Sequence, residues 1–191
     1  MFNEKYKFAV LFIAVLLVLG LTLPACTCQK PTETEKPPAP PGQPAAGSLS
    51  FEADEYVNAD YGFSVKYPKK WLQKPSEEPT TVFYAATAVR APALSISVLG
   101  GATFAEALTN VLSKAGSDIN IATERTATLA DGTPASEAVV EWKVQDFGAD
   151  TFVLGVQKGD KWVIVSITTV SLLAKYDEAL FSEIAHTLKF K

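Results

Sequence analysis

Between Tyr61 and Trp71 the chain alternates apolar and polar positions. Phe63, Val65 and Tyr67 take one side and Ser64 and Lys66 the other, which is the period of a half-buried strand. Pro68 has no donor for a ladder bond, so it ends that strand or sits at a sheet edge. Trp71 returns a large apolar group to the core, while Lys69 and Lys70 stay in water. Glu52–Asn58 reads as a loop or short edge strand with Tyr56 and Val57 reaching inward. Thr80–Thr87, rich in β-branched and aromatic residues, is a second strand, after an acidic loop punctuated by Pro75 and Pro79. Leu94, Ile96 and Val98 alternate with Ser95 and Ser97 in a third, which Gly100-Gly101 breaks.

The period then changes. Over Thr103–Ala115, Phe104, Ala107, Leu108, Val111, Leu112 and Ala115 fall on one stripe of a helix. Thr103 and Glu106 form a capping box, and Gly116 offers a left-handed stop. Four strands follow. Ile119–Leu129 reaches the hairpin turn Asp131-Gly132, and Pro134–Val144 returns with Val140, Trp142 and Val144 opposite Glu141 and Lys143. Phe152, Leu154 and Val156 form the next, and Gly159-Asp160 turns the chain into Trp162–Thr169. There Val163, Val165 and Ile167 share one face and Trp162 and Ile164 the other, so both faces are expected to be partly covered. Leu173–Ala185 reads as a second helix with Leu173, Tyr176, Leu180, Phe181 and Ile184 inward, and Leu188 and Phe190 as a short strand. The pattern predicts an antiparallel sheet with segregated helices, an α+β domain spanning 51–191. Phe63 and Trp142 are expected in its core.

Residues 1–50 have another character. Lys5 and Lys7 precede a nearly unbroken apolar run from Phe8 to Leu23, and Leu23-Pro24-Ala25-Cys26 follows. This resembles the signal peptide and lipobox of a bacterial lipoprotein. Residues 1–25 are then a signal peptide, and the Cys26 thiol takes a thioether-linked diacylglycerol, with palmitate among its acyl chains. An uncleaved anchor is the alternative, since Phe8–Ala25 approaches spanning length. Residues 26–50 carry the lipidated cysteine and a tether, QKPTETEKPPAPPGQPAAGSLS from Gln29. With almost no large apolar side chain it cannot order itself, and its prolines favour extended segments. Cys28 has no partner within the chain; an intermolecular disulfide is open to it outside the cytosol. The expected address is the extracytoplasmic face of a bacterial cell membrane.

Composition removes several chemistries. From Phe51 onward 13 Lys and Arg face 18 Asp and Glu, a balance of −5 with no cationic cluster, so no nucleic acid is expected as a partner. Both cysteines precede the domain. His186 is the only histidine and is expected on the solvated side of its helix. Without a second histidine or a domain cysteine, neither a zinc site nor a Ser-His-Asp or Cys-His device can be assembled. Gly100-Gly101 before a helix is an anion-site candidate whose plain alternative is a strand-to-helix turn. Asp146, Asp150 and Asp160 at turns, and Asp54, Glu55 and Asp60 before the first strand, could offer oxygen to Ca²⁺; their spacing matches no EF-hand loop, and solvated turn acids are the simpler reading. Trp71, Trp142 and Trp162 fit core packing more simply than a ligand groove. Glu137 and Glu141, four apart on one strand face, are the nearest pair for a two-carboxylate hydrolase, and their simpler reading is as solvent-side residues.

Gly62-Phe63-x-Val65-x-Tyr67-Pro68-x-x-Trp71 resembles the opening of PsbP-like domains of the Mog1/PsbP fold. The Asp131-Gly132-x-Pro134 turn, the Gly159-Asp160-Lys161-Trp162 hairpin and the closing Leu188-Lys189-Phe190 extend the resemblance over Tyr56–Lys191. It implies an α/β/α sandwich around a central antiparallel sheet. It also implies a non-catalytic binding or assembly role without a cofactor, through contact with an envelope or membrane complex. That family includes extrinsic thylakoid-lumen proteins of photosystem II and bacterial lipoproteins; this sequence lacks the insertions of the plant photosystem proteins, which counts against a photosystem role. The alternatives are a carboxylate-dependent hydrolase and a small-ligand or Ca-binding module.

Overall fold

The structure, a computed structural model, describes residues 48–112 and 116–191. Ten strands and two helices follow in order: β1 (Ala53–Asn58), β2 (Phe63–Pro68), β3 (Leu72–Gln73), β4 (Thr81–Ala86), β5 (Ala93–Gly100), α1 (Phe104–Leu112), β6 (Ser117–Thr128), β7 (Pro134–Val144), β8 (Phe147–Lys158), β9 (Lys161–Val170), α2 (Glu178–Ala185) and β10 (Lys189–Phe190). Seven strands form one sheet in the order β3-β4-β5-β9-β8-β7-β6, and β1, β2 and β10 form a smaller one with β2 in the middle. Every pairing is antiparallel. This is a sheet-rich α+β fold.

The order follows from one long connection. β3, β4 and β5 form a meander. The chain then crosses a face of the sheet as α1 and enters β6 at the far edge, and β6 to β9 return by hairpins until β9 pairs with β5. In β9 the alternation divides as expected. Val163, Val165 and Ile167 join the core with Phe63, Phe181 and Ile184, while Trp162 and Ile164 join Phe104, Ala107, Leu108 and Leu112 of α1. α1 packs on β5 and β9, and α2 packs on β2, β8 and β9. Gly155 in β8 permits the approach of α1, because a Cβ there would lie 2.5 Å from the Phe104 ring.

The capping box of α1 is present: Glu106 N donates to Thr103 Oγ1 (3.2 Å) and Glu106 Oε2 accepts from Ala102 N (2.8 Å). The end of that helix at Ala115 lies outside the described residues. Several expectations are corrected. Tyr56 reaches inward, its hydroxyl donating to Val82 O (2.9 Å), but Val57 is exposed, since successive strand residues face opposite ways. Ser64 is buried along with Phe63 and Val65, so β2 is covered on both faces there. The second helix starts at Glu178, where Asp177 caps it by accepting from Leu180 N (3.1 Å). Residues 171–176 precede that cap, which leaves Leu173 exposed rather than inward. Trp142 is half-buried, with its Nε1 donating to Thr151 Oγ1 (2.9 Å). Asp150 lies within β8 opposite Glu141, not at a turn.

Candidate functional site

The odd-numbered residues of β7 face α2 and the even-numbered ones face α1, as the membership of Ala138 and Val140 in the α1 cluster requires. Glu137 therefore points beneath α2 and is only 4% exposed. His186, at the C-cap of α2, places Nε2 2.9 Å from Glu137 Oε1. Arg125, directly opposite Glu137 on β6, places Nε 2.5 Å from Oε2. Its second terminal nitrogen reaches Glu178 Oε1 of α2 at 3.0 Å. Two carboxylates and two cations thus join β6, β7 and α2.

The hydrogen bonds of the histidine bear on its charge. Nδ1 lies 2.8 Å from Ser182 O, a carbonyl that only accepts, and Nε2 lies against a carboxylate. Both contacts favour the charged ring, while the Ser182 hydroxyl, 3.2 Å from Nδ1, can donate to a neutral one. Burial alone pushes His186 down, but the bonds to Glu137 and Ser182 O outweigh it and hold the group above its ordinary 6.5. Burial alone would likewise raise the Glu137 carboxyl; the hydrogen bonds from His186 and Arg125 reverse that and hold it below 4.5. The expectation of a solvated His186 and a solvent-side Glu137 is thereby corrected. α2 covers this face of β7, and the two groups neutralise each other there.

A cleft of about 820 Å³ runs past the network, lined by Arg125, Glu137 and His186 together with Thr126, Ser136 and Gln157. Nearby, the Tyr176 hydroxyl is buried without a hydrogen-bond partner among the described residues. Burial first, then the Glu178 charge, pushes it well above the usual phenol range.

The hydrolase arrangement is not assembled. Glu137 and Glu141 share a face, but four residues of strand separate them by about 13 Å, beyond the ~6.5–9.5 Å of an inverting pair. Both oxygens of Glu137 are engaged. Glu141 is exposed and lies opposite Asp150, whose carboxyl is raised by burial and then by the Glu141 charge. Among the described residues no group of three or more His, Cys, Asp or Glu side chains is placed to hold a metal ion. The amides before α1 are occupied by Glu106, so the turn there is structural. Trp71 belongs to one core cluster and Trp162 to the other, so the tryptophans do not share a groove. Cys26 and Cys28 lie outside the described residues. Sequence reasoning missed Arg125 and Glu178. The available signal was Glu137, among the apolar and small residues of its face of β7, with Arg125 on the strand beside it.

The described domain has a PsbP-like fold. The solution structure of cyanobacterial PsbP (CyanoP) from Synechocystis sp. PCC 6803 superposes with a TM-score of 0.58 at 13% identity, over 80% of this chain and 100% of that one. A crystal structure from Bacteroides thetaiotaomicron VPI-5482 matches with a TM-score of 0.50 at 12% identity, over 72% of this chain and 48% of that one. No family model matches the chain, and no curated protein matches it.

Proposed function

We propose that this protein is a membrane-anchored extracytoplasmic lipoprotein of a bacterial cell. It is held by diacylglycerol and palmitate on Cys26 and carries a non-catalytic PsbP-like domain that binds or helps assemble an envelope or membrane complex. We read the layers of the domain as an α/β/α sandwich, with α1 on one face of the large sheet and α2 on the other. The observation that carries the function is the Leu23-Pro24-Ala25-Cys26 sequence followed by a Pro-rich tether, ahead of a domain of this fold. A tether of that composition keeps a domain at high effective concentration near a membrane partner while leaving it free to reach. The engaged oxygens of Glu137 support a structural rather than catalytic use of the charged network.

The experiment is palmitate labelling and crosslinking in the native membrane, read by mass spectrometry. Wild type should incorporate palmitate and yield a reproducible protein partner, and Cys26→Ser should do neither. Equal palmitate in both chains removes the anchor. Turnover of a glycan by the full chain, abolished in Glu141→Gln, replaces the binding role with hydrolysis.

A further inference from the structure

A row of successive strand partners crosses the whole large sheet, from Leu72 in β3 through Ala93 and Thr151 to Ile121 in β6. Nine large hydrophobic side chains are exposed among the described residues, and seven lie on this row or beyond it at the same end. Leu72 and Ile121 are on the row. Val89 stands in the β4–β5 loop, Ile119 and Phe147 near the starts of β6 and β8, and Leu172 and Leu173 after β9. Leu172 is 64% exposed and Val89 61%. The other two, Val57 and Tyr61, belong to the opposite end, where Lys161 Nζ lies 5.6 Å from the Tyr61 ring centre.

The backbone separates the same two ends. The turns at the far end use glycine for left-handed positions: Gly62, Gly132 and Gly159. The non-glycine residues with positive φ, Arg90 (70°), Asp118 (55°) and Gln145 (55°), are all at the apolar end. Side chains held in that region carry a conformational cost that tends to persist where a surface is used.

The entry of the chain supplies the occupant. β1 begins at Ala53 opposite Pro68, and Lys69 N donates to Glu52 O. Three residues on, Leu72 is already on the apolar row. The segment that leads from the tether thus enters beside Pro68 and Leu72, on the side of the apolar row, with Ser50 N donating to Glu183 Oε1 of α2 (2.7 Å). Tips of several loops therefore gather beyond one row of the sheet. We propose that this end seats on the lipid bilayer to which the chain is tethered, with Val89, Phe147, Leu172 and Leu173 entering the interface. The inference takes its proximity to a bilayer from the anchored reading above.

Charge does not drive this contact. Arg90, Lys143 and Lys175 stand beside the tips, but so do Asp118, Asp146 and Asp177, and Lys143 is paired with Asp118 at 3.1 Å. Seating is therefore apolar, and indifferent to salt and to anionic lipid.

The test places an environment-sensitive thiol dye on Leu172→Cys in the full chain carrying Cys28→Ser, on phosphatidylcholine vesicles with a doxyl-labelled quencher lipid. Asp160→Cys marks the opposite end. Quenching is expected at 172 and not at 160, unchanged by salt or added phosphatidylglycerol, and lost when Phe147→Asp and Leu173→Asp are added. Both are exposed positions that leave the core intact. An acylated chain with an unquenched dye at 172, or equal quenching at both sites, overturns the docking. Palmitate incorporation scores the anchor separately; where it is absent the chain also carries Cys26→Ser, since a free Cys26 thiol would take the dye, and quenching at 172 then upholds the docking and removes only the anchor. A dye in water on vesicles but shielded in native membranes assigns this end to a protein and overturns the bilayer.

Discussion

Glu137 shows how one charged side chain can be buried without a site for chemistry. Its two oxygens are divided between His186 and Arg125, and Arg125 passes on to Glu178. Removing the carboxylate leaves two cations facing one another under α2. Glu137→Ala should therefore destabilise the domain by about 3 kcal/mol in denaturant melts, within the range for breaking a buried pair. The pH dependence follows from the two shifts. His186 has a raised folded-state value, so its contribution is full below its ordinary 6.5 and is lost as pH rises through that raised value. Glu137 has a lowered one, so its contribution is full above 4.5 and is lost as pH falls through the lowered value. The network contributes most between those limits, and His186→Phe should abolish the decline on the alkaline side. A wild-type profile flat from neutral to mildly alkaline pH would contradict the upward shift of His186.

At the scale of elements, alternation carried most of the information. β2, β5, β7 and β9 are where the apolar period puts them, and the two faces of β9 divide between two clusters as Val163/Val165/Ile167 and Trp162/Ile164 predict. What alternation could not supply is which polar positions a helix covers. A glutamate on a strand looks the same in sequence whether water or α2 lies above it, so Glu137 and His186 were legible as residues and not as a pair. Residues 171–177 misled for a related reason: Leu173 fits the helical stripe, but the Asp177 cap stops the helix short of it. Gly155 was invisible because its meaning lies in a contact with a distant helix. Gly155→Ala should cost about 1–3 kcal/mol, since the new Cβ would meet Phe104 at 2.5 Å and Ile164 at 2.9 Å. An unchanged melting midpoint would show that α1 can withdraw without loss.

For the whole molecule, the α+β class and the likeness to PsbP could be read before any coordinates, because short turn motifs punctuate each hairpin. The joining of the small sheet was only partly visible: Leu188 and Phe190 announce a strand, not its neighbour. That neighbour is β2, with Phe190 opposite Phe63 and the Thr187 hydroxyl bridging Lys66, accepting from its N–H at 2.8 Å and donating to its carbonyl at 3.1 Å. These groups stand 121 residues apart in the chain. A polypeptide made from its first residue onward presents β2 long before β10. Phe63 and Val65 then wait beside an unfinished sheet until nearly all of the domain has been made, in the regime where distant pairings make folding slow. Synthesis therefore leaves an interval in which this strand is open to any passing edge, the kind of extended apolar segment that chaperones hold.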